Sequence, residues 1–244
     1  MNILIVGYGK MGKTIERIAL ERGHRIAGKI DIDNQHDLDT VEADVAIEFS
    51  HPEAAYHNVK RCLERQIPVV CGTTGWLSKK KEIETISKNN GTAFFYASNY
   101  SLGVNIFFRV NKFLAEIMND FPEYDVSMDE IHHAEKKYAP SGTAITLAEG
   151  IMKHLKRKTG WTDTDNQQAD ELVIKSFRID QVPGTHVVKY ASAIDDIEIK
   201  HTAHSREGFA WGAELVAERL PEKNGALGMD DLLEFEPKMS DETI

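Results

Sequence analysis

The chain has 244 residues, enough for one large domain or two modest ones. A hydrophobic share of 41%, a charged share of 28% and a formal charge of -10 describe an ordinary globular protein with no overall basic surface. They argue against a nucleic-acid partner, whose phosphates need clustered cations. No apolar run is long enough to span a bilayer, so no membrane partner is expected either. Cys62 and Cys71 are the only cysteines, too few for a disulfide framework, so a cytoplasmic setting with reduced thiols is expected. No basic stretch precedes the first apolar run, so the start does not read as a signal peptide.

Residues 2–7, Asn-Ile-Leu-Ile-Val-Gly, form a short continuous apolar run, the pattern of a strand buried on both faces of a parallel sheet. Gly7-Tyr8-Gly9-Lys10-Met11-Gly12 follows, then a helical pattern over 13–22 that stops at Gly23. A second strand over 25–30 ends at Asp31. This is the order of a dinucleotide-binding unit. Gly7 permits the turn, Gly9 lets a pyrophosphate approach the backbone, and Gly12 lets helix and strand pack closely. Asp31 lies about 20 residues past the loop, where an acid accepts from ribose hydroxyls. Asp33 competes for that role but is farther from the strand end. Ile32 follows Asp31 where an arginine would hold a 2′-phosphate, which leans toward NADH. Lys10 could still reach such a phosphate, so both NADH and NADPH fit.

Alternation continues with strands expected at 44–49, 67–71 and 92–97 and helices after Ser50, a candidate cap, and over 77–88. Ligands in such sheets sit beyond the carboxyl ends of the strands. The loops holding Gly72, Thr73 and Thr74, and Ala97, Ser98, Asn99 and Tyr100, lie at such ends and are candidates to line the cofactor.

The second half differs. A core-facing helix is expected over 105–118, a strand over 125–131 and a helix over 144–156. Residues 157–170 read as an exposed loop. Strands follow over 172–178, 185–191 and 196–203, then a helix over 208–219, a loop over 221–227 and a short helix over 229–234. The tail after Glu236 is polar and reads as frayed. The expected fold class is α/β: a Rossmann-like doubly wound parallel sheet plus a smaller α+β domain with a mostly antiparallel sheet. The long alternating strands leave a sheet face for another subunit.

Between these halves lies Glu130-Ile-His-His-Ala-Glu-Lys-Lys-Tyr-Ala-Pro-Ser-Gly-Thr143. Reduction of a C=N or conjugated C=C bond needs a hydride on one atom and a proton on its neighbour. A placed imidazolium or ammonium supplies the proton, so His132 and Lys136 are the candidate catalytic groups. His133 points the other way and is a candidate carboxylate holder. Gly142 and Thr143 open a helix, and helix starts bind anions. A metal site from His132, His133 and Glu135 is not expected, because adjacent histidines rarely reach one ion.

This segment resembles the signature of the 4-hydroxy-tetrahydrodipicolinate reductase (dihydrodipicolinate reductase) family of diaminopimelate and lysine biosynthesis. The resemblance extends to residues 7–12, 71–75, 97–105 and 204–213, in the same order along the chain. It implies His132 as proton donor/acceptor and Lys136 as proton donor. It implies His133, Gly142 and Thr143 as ligands of a small dicarboxylate substrate. Gly7, Tyr8, Gly9, Lys10, Met11, Gly12, Asp31, Gly72–Thr74 and Ala97–Tyr100 would bind the nicotinamide cofactor. It also implies a homotetramer joined through the carboxy-terminal sheets, with domains at 1–101 and 102–212 and a return of 213–244 to the first. The glycine loop is shorter than the common family form, Lys10 replaces a frequent arginine, Ile32 is not basic, and the chain is somewhat short. The alternatives from the residues alone are another two-domain NAD(P)-dependent dehydrogenase of amino-acid or sugar metabolism and a non-catalytic NAD(P) sensor.

Overall fold

The computed structural model describes residues 1–164, 168–205 and 207–233. The chain divides into two compact units, one built from Met1–Ser101 and the return that begins at Glu207, the other from Leu102–Arg206.

The first unit opens with β1 (Asn2–Val6), α1 (Lys10–Glu21), β2 (Arg25–Ile30), β3 (Val45–Glu48), α2 (Pro52–Glu64), β4 (Val69–Cys71), α3 (Lys80–Asn90) and β5 (Phe94–Tyr96). Helix α1 starts three residues before the expected Lys13, because the Lys13 N–H already bonds the Gly9 carbonyl at 3.1 Å. The helix therefore begins inside the glycine loop. Ser50 does not cap α2. His51 holds that position without a side-chain bond, and the Ser50 hydroxyl donates to the buried Glu48 carboxylate instead. A 3₁₀ turn, Leu77–Lys79, precedes α3.

The second unit runs α4 (Leu102–Met118), β6 (Asp125–His132), α5 (Gly142–His154), β7 (Gly160–Thr162), β8 (Glu171–Arg178), β9 (Gly184–Ala191) and β10 (Asp196–Ala203). Its sheet has the order β10-β9-β6-β8-β7 and is mixed: β9 is antiparallel to β6 and β10, while β8 is parallel to β6 and β7. Strand β7 lies where an unbroken loop was expected. The buried ammonium of Lys158 fixes that stretch by donating to the Ala169 and Glu171 carbonyls at 3.0 and 2.8 Å. Three residues are too short to show a period in sequence. Helices α4 and α5 cover one sheet face through Phe107, Ala115, Leu147 and Ile151 against Val126, Met128, Ile174 and Val188.

The return consists of α6 (Glu207–Arg219), β11 (Ala226–Leu227) and α7 (Met229–Leu233). It rejoins the first unit at Glu207, six residues before the expected Ala213, because α6 packs as one helix. Ala210, Ala213, Val216 and Ala217 share a core with Ile15, Ile18 and Ala19 of α1. Arg22, which caps the end of α1, donates twice to Glu218 of α6, at 2.8 and 2.7 Å. Gly212 is required where α6 crosses the 97–101 loop, since a Cβ there would sit 1.8 Å from the Tyr100 carbonyl oxygen. Strand β11 pairs with β5 inside the expected 221–227 loop. The completed sheet is parallel throughout, in the order β11-β5-β4-β3-β1-β2. Glu234 and the expected frayed tail lie outside the described residues. No helix among the described residues is long and apolar enough to cross a membrane.

One charge in this unit is badly placed. Glu214 on α6 has no solvent exposure, and burial, then the neighbouring Glu218, push its carboxyl up to about 7. A raised acid costs stability as pH climbs from the ordinary carboxyl range toward 7, because the folded state holds its proton longer. Glu214→Gln is expected to raise the thermal midpoint at pH 8, by something on the order of 2 kcal/mol of stability. The gain should shrink toward zero as pH falls to about 4.5; thermal melts at both pH values check it.

Candidate active site

The strand order reverses between β1 and β3, and a cleft opens there, as expected for doubly wound sheets. It has a volume of about 350 Å³ and is lined by Gly7, Tyr8, Gly9, Lys10, Met11 and Asp31, together with Ile32, Gln35, Phe49, Ser50, His51 and Asn58. A second hollow of about 270 Å³ shares Met11, Phe49 and Ser50 and adds Gly72, Thr73 and Thr74. The β3 and β4 ends are tied together, because the Thr73 hydroxyl accepts the Ser50 N–H at 2.8 Å.

The three loop glycines differ in what they answer to. Gly7 has φ +95°, and a Cβ on it would meet the Phe49 carbonyl at 2.1 Å. A Cβ on Gly12 would meet the Gly7 carbonyl at 2.2 Å. A Cβ on Gly9 would meet no protein atom within 4 Å and would stand in open space. The fold demands Gly7 and Gly12; only a ligand demands Gly9. Gly9 also heads α1 with no side-chain cap, so the first N–H groups of the helix are left for an anion. These features fit a dinucleotide pyrophosphate.

Asp31 lines the cleft, with one oxygen accepting the Ile32 N–H at 2.9 Å, while Asp33 does not line it. Ile32 is 72% exposed, and no cation stands at that position. Lys29 is committed to Glu16 at 3.0 Å and lies 4.7 Å from the Tyr8 ring. Gly12, Ala97, Ser98, Asn99 and Tyr100 are not among the lining residues. Tyr100 is buried, and its hydroxyl donates to the Cys71 carbonyl at 2.7 Å. The sequence reading missed Phe49, Ser50, His51 and Asn58, which follow β3. The Phe-Ser-His-Pro run at that strand end was the available signal, read only as a helix cap.

In the second unit, β6 buries every second residue: Val126, Met128, Glu130 and His132. The face is apolar at one end and titratable at the other. Glu130 has no solvent exposure. Its carboxylate contacts His132 Nδ1, and it accepts from Arg178 Nη1 at 2.9 Å. Burial alone would raise this carboxyl, but bonds from His132, Arg178 and Ser176 outweigh it and hold it at about 2. Arg178 also donates to the Tyr138 carbonyl at 2.8 Å, which fastens the 133–140 segment to β8.

His186 on β9 lies directly across from Glu130. Its ring meets the His132 ring edge-on at 5.1 Å. Burial, then the charges of His132 and others including Lys136, push it down to about 3, so it is neutral. His133 lines a separate cavity of about 460 Å³ with Glu135, Asp180 and Pro183. Gly142 is exposed at the start of α5 and Thr143 is half-buried. The Ser141 hydroxyl oxygen takes the Ala144 N–H at 3.2 Å, which leaves the N–H groups of Gly142 and Thr143 to an anion. Donor atoms of Glu130, His132 and His186 lie within 4.8 Å of one another, but Arg178 already supplies the cation for that carboxylate. Glu130 was legible as Glu-X-His on a strand, where alternate residues share a face. His186 was not, because only the β6–β9 register brings it there.

Two family models match the chain: dihydrodipicolinate reductase, N-terminus, over residues 1–100, and dihydrodipicolinate reductase, C-terminus, over residues 103–233. A 4-hydroxy-tetrahydrodipicolinate reductase of Christiangramia forsetii is 50% identical over 96% of this chain and 98% of its own length. One from Staphylococcus epidermidis is 34% identical over 92% of this chain and 96% of its own. Among solved structures, a dipicolinate-bound dihydrodipicolinate reductase from Paenisporosarcina sp. TG-14 shares the fold with a TM-score of 0.79. It is 18% identical and covers 93% of this chain and 97% of its own.

The Glu130 pair gives the site a measurable acid limit. A depressed carboxyl contributes stability that is complete above the ordinary carboxyl range and is lost as pH falls toward 2. Glu130→Gln removes one partner of a buried pair and leaves Arg178 uncompensated, which costs about 3–5 kcal/mol. The expected outcome is a lower thermal midpoint at pH 7 and a flatter loss of stability between pH 4 and 2 than in the parent, read by circular dichroism.

Proposed function

The chain belongs to the dihydrodipicolinate reductase family, and on that premise we propose how its residues divide the family's reaction. The reaction is the nicotinamide-dependent reduction of 4-hydroxy-tetrahydrodipicolinate to tetrahydrodipicolinate; the general amino-acid dehydrogenase reading is not favoured.

The cofactor supplies a hydride. Gly7–Gly12 hold its pyrophosphate, Asp31 its ribose hydroxyls, and Gly72–Thr74 with Ala97–Tyr100 frame the nicotinamide. Tyr100 acts by holding the strand-end loop through Cys71 and not by direct contact, given its burial. NADH is the preferred cofactor. The Asp31 carboxylate in the cleft repels a 2′-phosphate, and the exposed neighbour Ile32 offers it no charge. Lys10 is the one cleft residue that favours NADPH.

Lys136 and His132 carry the proton. The observation that supports this most directly is the titratable end of the buried β6 face. There Glu130 contacts the His132 imidazole, the His132 ring packs against His186, and Arg178, paired with Glu130, holds the segment that carries Lys136. His133, Gly142 and Thr143 bind the substrate carboxylates, two of them as helix-start donors. Dipicolinate, the planar dicarboxylate held by the Paenisporosarcina enzyme, is the ligand we propose for these groups here.

The protein acts in the cytoplasm as a homotetramer. Buried, unpaired Cys62 and Cys71 support a reducing setting. The edge strand β10 and the exposed Ile194 and Ile197 support a sheet-mediated contact between copies.

The test is an assay on the condensation product of pyruvate and aspartate semialdehyde, run with each cofactor. NADH is expected to give the higher kcat/KM. Lys136→Ala is expected to lower kcat by about 10²–10⁴-fold with the NADH KM retained. Full activity of that variant removes Lys136 from the mechanism.

A further inference from the structure

We infer that His186 is a positioning residue for this reduction: it ties the proton-carrying imidazole of His132 to Ser141, the cap of the helix whose start receives a substrate carboxylate. The inference rests on the roles proposed above for His132, Gly142 and Thr143.

The geometry is a chain of buried polar contacts. His186 is 4% exposed, and its Nε2 lies 3.1 Å from the Ser141 hydroxyl oxygen. Ser141 is 2% exposed. Its oxygen already accepts the Ala144 N–H, so its single hydroxyl proton is free to go to His186. In the tautomer that accepts this proton, His186 Nε2 carries the lone pair and Nδ1 the proton. A buried hydroxyl without an acceptor turns to find one, and that turn gives up the bond from the Ala144 N–H, which loosens the helix start that carries the N–H groups of Gly142 and Thr143.

On its other side the His186 ring packs edge-on against His132. Gly184, two residues earlier on β9, completes the fit, since a Cβ there would come within 3.1 Å of His132 Nε2. The groups facing His186 are Glu130 across β6, His201 across β10, His132 beside it and Lys136. Burial disfavours a protonated His186. A protonated ring would also lose the lone pair that holds Ser141. The neutral ring therefore carries the position of His132 to the start of α5.

The experiment uses the full-length protein with NADH and a double-mutant cycle on His186 and Ser141. The readouts are kcat, substrate KM, NADH KM and the calorimetric Kd of dipicolinate. For His186→Leu the expected result is a substrate KM and dipicolinate Kd weakened about tenfold, with the NADH KM unchanged. His186→Gln, whose amide oxygen can accept the Ser141 proton, should recover most of that loss. Ser141→Ala should show the same weakening by itself, and adding His186→Leu to it should cost dipicolinate nothing more. The Ser141→Ala result stands even where His186→Leu fails to fold. Dipicolinate affinity unchanged in both single variants, or losses that simply add in the double variant, overturns the inference. Those outcomes beside an inactive Lys136→Ala would remove only the role of His186. An active Lys136→Ala would remove the reading of the site itself.

Discussion

A carboxylate with no solvent exposure must be paired or protonated, and Glu130 is paired on two sides. The arrangement of the second unit's site depends on that fact. Through His132 the carboxylate sets the orientation of an imidazole at the end of a strand. Through Arg178 it secures the segment that carries Lys136, because the same guanidinium holds the Tyr138 carbonyl. One buried charge thus governs where two candidate proton donors stand.

The cofactor-binding unit solves a different problem with backbone rather than charge. Its sheet reverses order between β1 and β3 and leaves a cleft at the strand ends. Close backbone approaches require two of the three loop glycines, and the third is required only if something lies in the cleft. The buried Glu48 carboxylate, taking bonds from Ser50 and Cys71, steadies the neighbouring strand ends as Glu130 does in the other unit. Each unit keeps one unexposed carboxylate at the border between its core and its site.

Much of this was legible in the sequence, for physical reasons that differ by residue. Gly7, Gly9 and Gly12 after an apolar strand announce the cleft, and Asp31 at the end of β2 lies in it. The alternation of β6 announces that His132 faces the core and His133 does not. Asp196–Ala203 was legible because period 2 persists through it, and Arg25–Ile30 from its place between the first helix and Asp31; both have the expected bounds. β7 and β11 were not, having three and two residues. Ser50 was misread as a cap because a serine before proline has the right spacing. What it bonds is a carboxylate two residues back on the strand. The parallel pairing of β6 with β8 and the approach of His186 to His132 and to Ser141 are matters of register and chain crossing, which no local pattern encodes.

The central claim is that the Glu130-held His132 delivers a proton in a reduction whose hydride comes from a nicotinamide. The most direct measurement is turnover by His132→Gln in the pathway assay, with dipicolinate binding measured on the same preparation. The account predicts a kcat lowered by about 10²-fold or more while dipicolinate still binds. A His132→Gln protein that turns over at the parent rate would contradict it.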